Sequence, residues 1–378
     1  MKTAILVGCG AEIGSNLLID NIPEKDGFEI TAVITNAPPT DKHYASLRPI
    51  DGIVARLAIA RPGIQSQIEV MNDNMLRIQG RGIRFYFYDL RMDNPDISEH
   101  FDIAFLATNK TDIAEKSPVA LKLNGLAGTI LGVAEANDLP SIYGCLADLS
   151  ENDIPTINRK VVGVGTYCLG SCQTTGMHAS LRVIIEALQS IDLNAKNIVS
   201  IETDIVHPDT PNGVLGTRSF EGRMQDVRDN LRPSFSQITQ SQHKVMPWAP
   251  LVNTVSLRVP VHAPGYQINR FIVNDGGLLN TEAIESAIST VYSKCDYIAK
   301  ASRTPLGSRA YAYDRRCATI LSDHNHLLIL RPPHLTTQNL SEVIIQSYVN
   351  NTIGYTAVVL SVARSVAFGH HIATFGGL

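Results

Sequence analysis

Residues 3–22 read "TAILVGCGAEIGSNLLIDNI". Four apolar residues, Ala4 to Val7, run into a glycine turn, and an amphipathic stretch follows. A strand covered by helices on both faces has no polar side, so a near-continuous apolar run marks a central parallel strand. The turn, Gly8-Cys9-Gly10-Ala11-Glu12-Ile13-Gly14, then leads into a helix. Glycines let a backbone approach a pyrophosphate, and a helix N-terminus offers unpaired N–H groups and the positive end of its dipole. Gly8, Gly10, Ile13 and Gly14 are therefore candidate contacts for a dinucleotide. The spacing, GxGxxxG, is one residue longer than the usual form, and Glu12 puts an acid near the phosphates. A plain glycine turn is the alternative.

The same signature recurs along the first half. "FEITAVIT" (28–35) and "FDIAFLAT" (101–108) read as further buried strands, with "GTILGVAE" (128–135) and "RKVVGVGTY" (159–167) as others. "GIRFYFYD" (82–89) alternates and reads as an exposed or edge strand. Apolar strands with helices between them imply an α/β fold with a Rossmann-type doubly wound parallel sheet. The second strand ends in "VITNAPPTDKH" (33–43). An NAD site usually has Asp or Glu here for the ribose hydroxyls; this chain has Thr35 and Asn36, with Lys42 and His43 beyond. Loss of the acid removes a charge that would repel a 2′-phosphate, so the cofactor is NAD or NADP, with NADP slightly favoured. Asn36 bonding an NAD ribose is the alternative.

The second half changes pattern. "NIVSIETDIVH" (197–207), "TVSLRVPVHAPGYQINRFIVN" (254–274), "SRAYAYDRRCATIL" (308–321) and "HNHLLILRP" (324–332) are longer, partly alternating strands, interrupted by the helix "TEAIESAISTVYSKCDYI" (281–298). An α+β domain with a mostly antiparallel sheet is expected. A long polar stretch between His207 and Pro247 carries Arg218, Arg223, Arg228 and Arg232, which could meet a neighbouring subunit, the cofactor or only solvent. The helix "GYTAVVLSVARSVAFG" (354–369) should be buried, and "HHIATFGGL" (370–378) is a tail with no assigned role.

With 378 residues, 44% hydrophobic, 18% charged and a net charge of -4, the composition is that of an ordinary globular protein, and the length suggests two domains. No apolar run reaches the ~18 residues of a membrane span. The apolar start is too short for a signal peptide. Scattered Lys and Arg leave no nucleic-acid footprint. Cys9, Cys145, Cys168, Cys172, Cys295 and Cys317 lack paired CxxC spacing, so no disulfide frame is expected and a cytoplasmic location fits best. His324 and His326 could share a strand face, but a metal site needs more ligands nearby, so none is expected.

"YCLGSCQTTGMHASLRVIIEAL" (167–188) sets Cys172 at the start of an amphipathic helix, where the dipole favours a thiolate. His207 ends an apolar strand. Taken alone, each could be a plain core side chain. Together with "SCQTT" (171–175), "VHPDT" (206–210), "NLRPSFS" (230–236), "KVMP" (244–247), "LRVPV" (257–261), "SYVNNTIGYTAVVLSV" (347–362) and "YASLRPIDGIVARL" (44–57), they resemble, in order along nearly the whole chain, the glyceraldehyde-3-phosphate dehydrogenase family.

The resemblance implies that Cys172 attacks an aldehyde to form a thiohemiacetal and that His207 is the base. It implies that Asn351 anchors the nicotinamide carboxamide, that Tyr355 packs beside the ring, and that Thr210 and Arg258 bind an anionic substrate. It further implies a homotetramer, divided into 1–171 plus 347–378 for the dinucleotide and 172–346 for catalysis and assembly. Four positions depart from the family: Gln173, Ser236-Gln237 and Asn212 stand where it has Thr, Thr-Gly and a second Thr. Only Ser171 and Ser236 keep a hydroxyl in the inorganic-phosphate subsite, so a different aldehyde or a different acyl acceptor is expected. The alternatives are a semialdehyde or acyl-CoA-linked reductase on the same scaffold, or a weakly catalytic nucleotide-binding regulator. Asp204 and Asp209 flank His207 and could orient it; Cys168 could form a redox pair with Cys172 or be a packed thiol.

Overall fold

The computed structural model describes residues 1–37, 48–208, 231–249, 254–259, 261, 264–301, 306–312, 317–321, 328–331, 339–351 and 353–376. The strands of the first half are β1 Lys2–Val7, β2 Phe28–Thr35, β3 Ile68–Asn72, β4 Met75–Ile78, β5 Arg81–Phe87, β6 Phe101–Leu106, β7 Ala127–Gly132, β8 Asn158–Val161 and β9 Gly165–Cys168. Eight of them form one sheet in the order β3-β4-β5-β2-β1-β6-β7-β9. From β5 to β9 every neighbour is parallel. The chain builds outward from β1 through β2, then returns to add β6 on β1's other side. Its direction of travel reverses at β1.

The apolar run of β1 has a direct cause. Ala4 and Leu6 enter one hydrophobic core, Ile5 and Val7 the other. Helices Glu12–Asp20 and Pro49–Ala60 pack together, and the C-terminal helix Ile353–Ala367 packs against Glu12–Asp20 and Pro23–Asp26. The short helix Pro118–Asn124 contributes Val119 and Leu123 to the other core.

Three expectations change here. β5 alternates, with Ile83 and Phe85 buried and Gly82 and Arg84 exposed, yet it is not an edge, because the hairpin β3–β4 extends the sheet beyond it. "RKVVGVGTY" is two strands, broken around Gly163 and Gly165. The residues taken as a tail form strand His371–Thr374, paired antiparallel with β8.

The strands of the second sheet are β10 Ile198–Pro208, β11 Arg232–Pro233, β12 Thr254–Val259, β13 Gly265–Asn274, β14 Ile298–Lys300, β15 Thr319–Leu321, β16 Leu328–Arg331 and β17 Leu340–Val349; the last strand, β18, is His371–Thr374. The order is β11-β12-β10-β13-β17-β15-β14, with β16 also on β17. The sheet is mixed: the long β10–β13–β17 pairings are antiparallel, while β10–β12 and β14–β15 are parallel. β17 runs through residue 347, so the expected domain boundary there falls inside a strand of the second sheet. Helices Cys172–Gln189 and Thr281–Lys294 pack together, the former also against β13 and β17. Among the described residues, no helix is long and apolar enough to cross a membrane.

Candidate functional site

The glycine turn is fixed by close packing. Gly8 has φ +96°, and a Cβ there would lie 2.6 Å from the Ala107 carbonyl oxygen. A Cβ on Gly14 would lie 2.3 Å from the Gly8 oxygen, so loop and helix touch backbone to backbone. Gly10 differs: a Cβ there would meet nothing within 4 Å, so it faces open space. Beside it lies a cavity of about 430 Å³, formed by the chain ends after β1, β2, β5 and β6 and by helix Pro49–Ala60. Gly8, Gly10 and Asn36 line it; Ile13, Gly14, Cys172, His207, Asn351 and Tyr355 do not.

Cys172 lies beyond β9, at the same carboxyl edge of the sheet as the glycine turn. β9 stands three places from β1, about 14 Å at the usual strand spacing. Cys172 is the first residue of its helix, and Ser171 caps it by accepting from the Thr174 N–H at 3.3 Å. That position gives the sulfur the positive end of an 18-residue helix. Of the six cysteines Cys172 alone is partly exposed; the other five are buried. Burial pushes the Cys9 thiol up to about 12 and those of Cys168 and Cys295 to about 11. Cys168 is held by Ser141 at 2.9 Å, in a buried cluster with Glu135 and Lys244, which makes it a packed thiol. Tyr355 is also buried, and its hydroxyl donates to the Gly170 oxygen at 2.8 Å, supporting the turn that presents Cys172.

A polar chain joins this helix start to the second sheet. Gln173, one residue on, is buried and donates through Nε2 to Asn351 Oδ1 at 3.4 Å. Asn351 Nδ2 is 3.4 Å from His207 Nδ1. His207 stands opposite Arg258 across the parallel β10–β12 pair. Arg258 Nη1 approaches Nδ1 at 2.5 Å and donates to the Pro208 carbonyl at 3.2 Å; its Nε donates to Ser234 Oγ at 3.2 Å. In one tautomer Nδ1 accepts from Arg258. In the other Nδ1–H donates to the Pro208 oxygen, 2.6 Å away, and leaves Nε2 as the basic nitrogen. Gln267 fixes the helix start from below, donating to the Gln173 oxygen at 3.2 Å, where the lack of a side chain on Gly176 makes room for it.

Several expected residues take other parts. Asp204 pairs with Arg270. Ser236 accepts from the Ile238 N–H at 3.3 Å, at the start of helix Ile238–Val245. Gln173 points to Asn351, so its length serves a contact within the protein. Ser234 and Gln267, which the motifs do not single out, supply contacts instead. Thr210, Asp209, Asn212, Arg218, Arg223, Arg228, Lys42, His43, His324 and His326 lie outside the described residues, as does the side chain of Arg232. No family model matches the chain, and no curated protein matches it.

Proposed function

We propose that the protein is an oxidoreductase acting on aldehydes, with Cys172 as nucleophile, His207 as base and NAD or NADP as cofactor. The observation that carries this reading is the shared edge: an accessible thiol at a helix N-terminus and an open glycine-loop cavity lie at the carboxyl ends of strands in one sheet. Ligands of open parallel sheets bind at that edge, where the strand order reverses. A dinucleotide extended along it can reach from one feature to the other.

The residues fit such a group. Gly10 leaves free the space that a Cβ would fill, the Glu12–Asp20 helix opens beside it, and the cavity holds a buried guanidinium nitrogen, Arg56 Nε, without a hydrogen-bond partner. When bound, the nicotinamide would supply the hydride acceptor. Gly8, Gly10 and Asn36 would hold the adenosine side, and Asn351 would orient the carboxamide.

The chain's own chemistry follows from the cluster. The Cys172 thiolate forms a bond to the carbonyl carbon, and the oxygen takes a proton to give a thiohemiacetal. His207 takes that hydroxyl proton as the carbon is oxidised to a thioester, whose C–S bond then breaks on attack by an acceptor. Arg258 supports an anionic substrate, since a carboxylate or phosphate would draw its guanidinium off the imidazole. The buried side chain of Gln173, where the family has a hydroxyl, favours an acceptor other than inorganic phosphate.

The test is oxidation of a panel of small aldehydes with NAD or NADP, with phosphate, coenzyme A or neither as acceptor. Turnover lost in Cys172→Ser with dinucleotide binding kept is the expected result; undiminished turnover in that variant would overturn the reading. By the same resemblance we propose a cytoplasmic homo-oligomer of tetrameric size, which light scattering in solution tests.

A further inference from the structure

Arg56 lies on helix Pro49–Ala60 and lines the cavity beside the glycine loop. Its Nε is buried without a hydrogen-bond partner, and among the described residues no carboxylate pairs with it. The contrast within the same cavity is Arg91, whose Nε and Nη2 lie 3.0 and 2.6 Å from the two oxygens of Asp112. Asp89 also lines the cavity, but it is tied to its own turn, accepting from the Arg91 N–H at 3.0 Å. Among the described residues, one cation of the cavity is thus paired with a carboxylate and the other is not. The Nε of Arg56 is closed off from water with its donor unused, and a bound anion would satisfy both donor and charge.

Which anion follows from position. Arg56 shares the cavity with Thr35 and Asn36 at the end of β2, where a dinucleotide's adenosine ribose is recognised. Neither residue carries the negative charge that would repel a phosphate there. The pyrophosphate has another receptor in the N–H groups of the glycine turn and the helix after it. Resting on the dinucleotide reading above, we infer that Arg56 binds the 2′-phosphate of NADP, so that the cavity takes NADP in preference to NAD.

The experiment measures binding of adenosine 2′,5′-bisphosphate and of 5′-AMP to the full chain by calorimetry, in wild type, Arg56→Gln and Arg56→Lys. Wild type is expected to bind the bisphosphate about tenfold or more tighter than AMP, as a charge-assisted contact implies. Arg56→Gln should erase that advantage while AMP affinity stays within about twofold; Arg56→Lys, which keeps the charge but loses the fork, should keep part of it. If Arg56→Gln fails to fold, the wild-type preference and its partial retention in Arg56→Lys decide. Equal affinity of wild type for the two ligands overturns the inference and leaves the dinucleotide reading standing. So does an equal loss of both in Arg56→Gln, which would assign Arg56 to the 5′-phosphate. If neither ligand binds, and NAD and NADP also fail to bind, both readings fall.

Discussion

Gln173 Nε2 donates to Asn351 Oδ1, and Asn351 Nδ2 reaches His207 Nδ1, each at 3.4 Å. The residue beside Cys172 is thereby coupled to His207 on the second sheet. In the proposed reaction Gln173 would be a positioning residue for both Asn351 and His207. Gln173→Leu should lower kcat about five- to tenfold, the worth of one neutral buried hydrogen bond, while KM for the aldehyde moves little. A change in KM with kcat intact would instead assign Gln173 to the substrate.

Arg258 touches both nitrogens of His207 and the Pro208 carbonyl. If its role is to receive an anion, Arg258→Gln should raise KM for a carboxylate- or phosphate-bearing aldehyde by about tenfold or more, and change that of a neutral aldehyde far less. Equal effects on the two aldehydes, in paired steady-state assays, would speak against an anion site.

Lys244 and Glu135 form an ion pair that is 9% and 0% exposed, at 2.8 Å. The ammonium also donates to Leu139 O and Ser141 Oγ, each at 2.8 Å. Helix Ile238–Val245 is pinned by this contact to the chain just after β7. Lys244→Met should cost about 3–5 kcal/mol in denaturant unfolding, because it strands a buried carboxylate. The double variant with Glu135→Gln should recover part of that loss.

His178 is buried, has no hydrogen bond on either ring nitrogen, and stands edge-on to Tyr143 at 4.4 Å. Burial lowers its folded value to about 3. The unfolded chain therefore binds a proton that the folded chain does not, below the ordinary histidine value. This contribution to stability is complete above about pH 6.5 and is lost progressively as pH falls towards 3. His178→Leu, an apolar swap that orphans no partner, should flatten the fall by about 2 kcal/mol at pH 5 in urea titrations. An unchanged slope between pH 7 and pH 5 would contradict the assignment.

Residues buried on two faces were the most legible. β1, β2 and β6 carry the apolar runs 4–7, 32–34 and 103–106 because side chains on both sides are covered there, and that pattern has few other causes. The edges were harder to read. Hairpin β3–β4 carries little apolar signal, with Glu69, Met71 and Asn72 exposed, and β18 depends on a partner over 200 residues away. At the site, the positions of Cys172 and Gly8 follow from local rules for helix starts and turns. The directions of Gln173, Ser236 and Asp204 do not, because each is set by a partner from another element: Asn351, Ile238 and Arg270. Arg56 was invisible for the same reason, since only the fold reveals that, among the described residues, no carboxylate comes to meet it.

The most direct measurement of the central claim is the rate of Cys172 alkylation by iodoacetamide against pH, with the modified residue identified by mass spectrometry. Cys172 should be labelled well ahead of the five buried cysteines, with a midpoint below the ~8.5 of an ordinary thiol, and His207→Ala should slow the reaction near neutral pH. An ordinary thiol profile that His207→Ala leaves unchanged would contradict the pairing of Cys172 with His207.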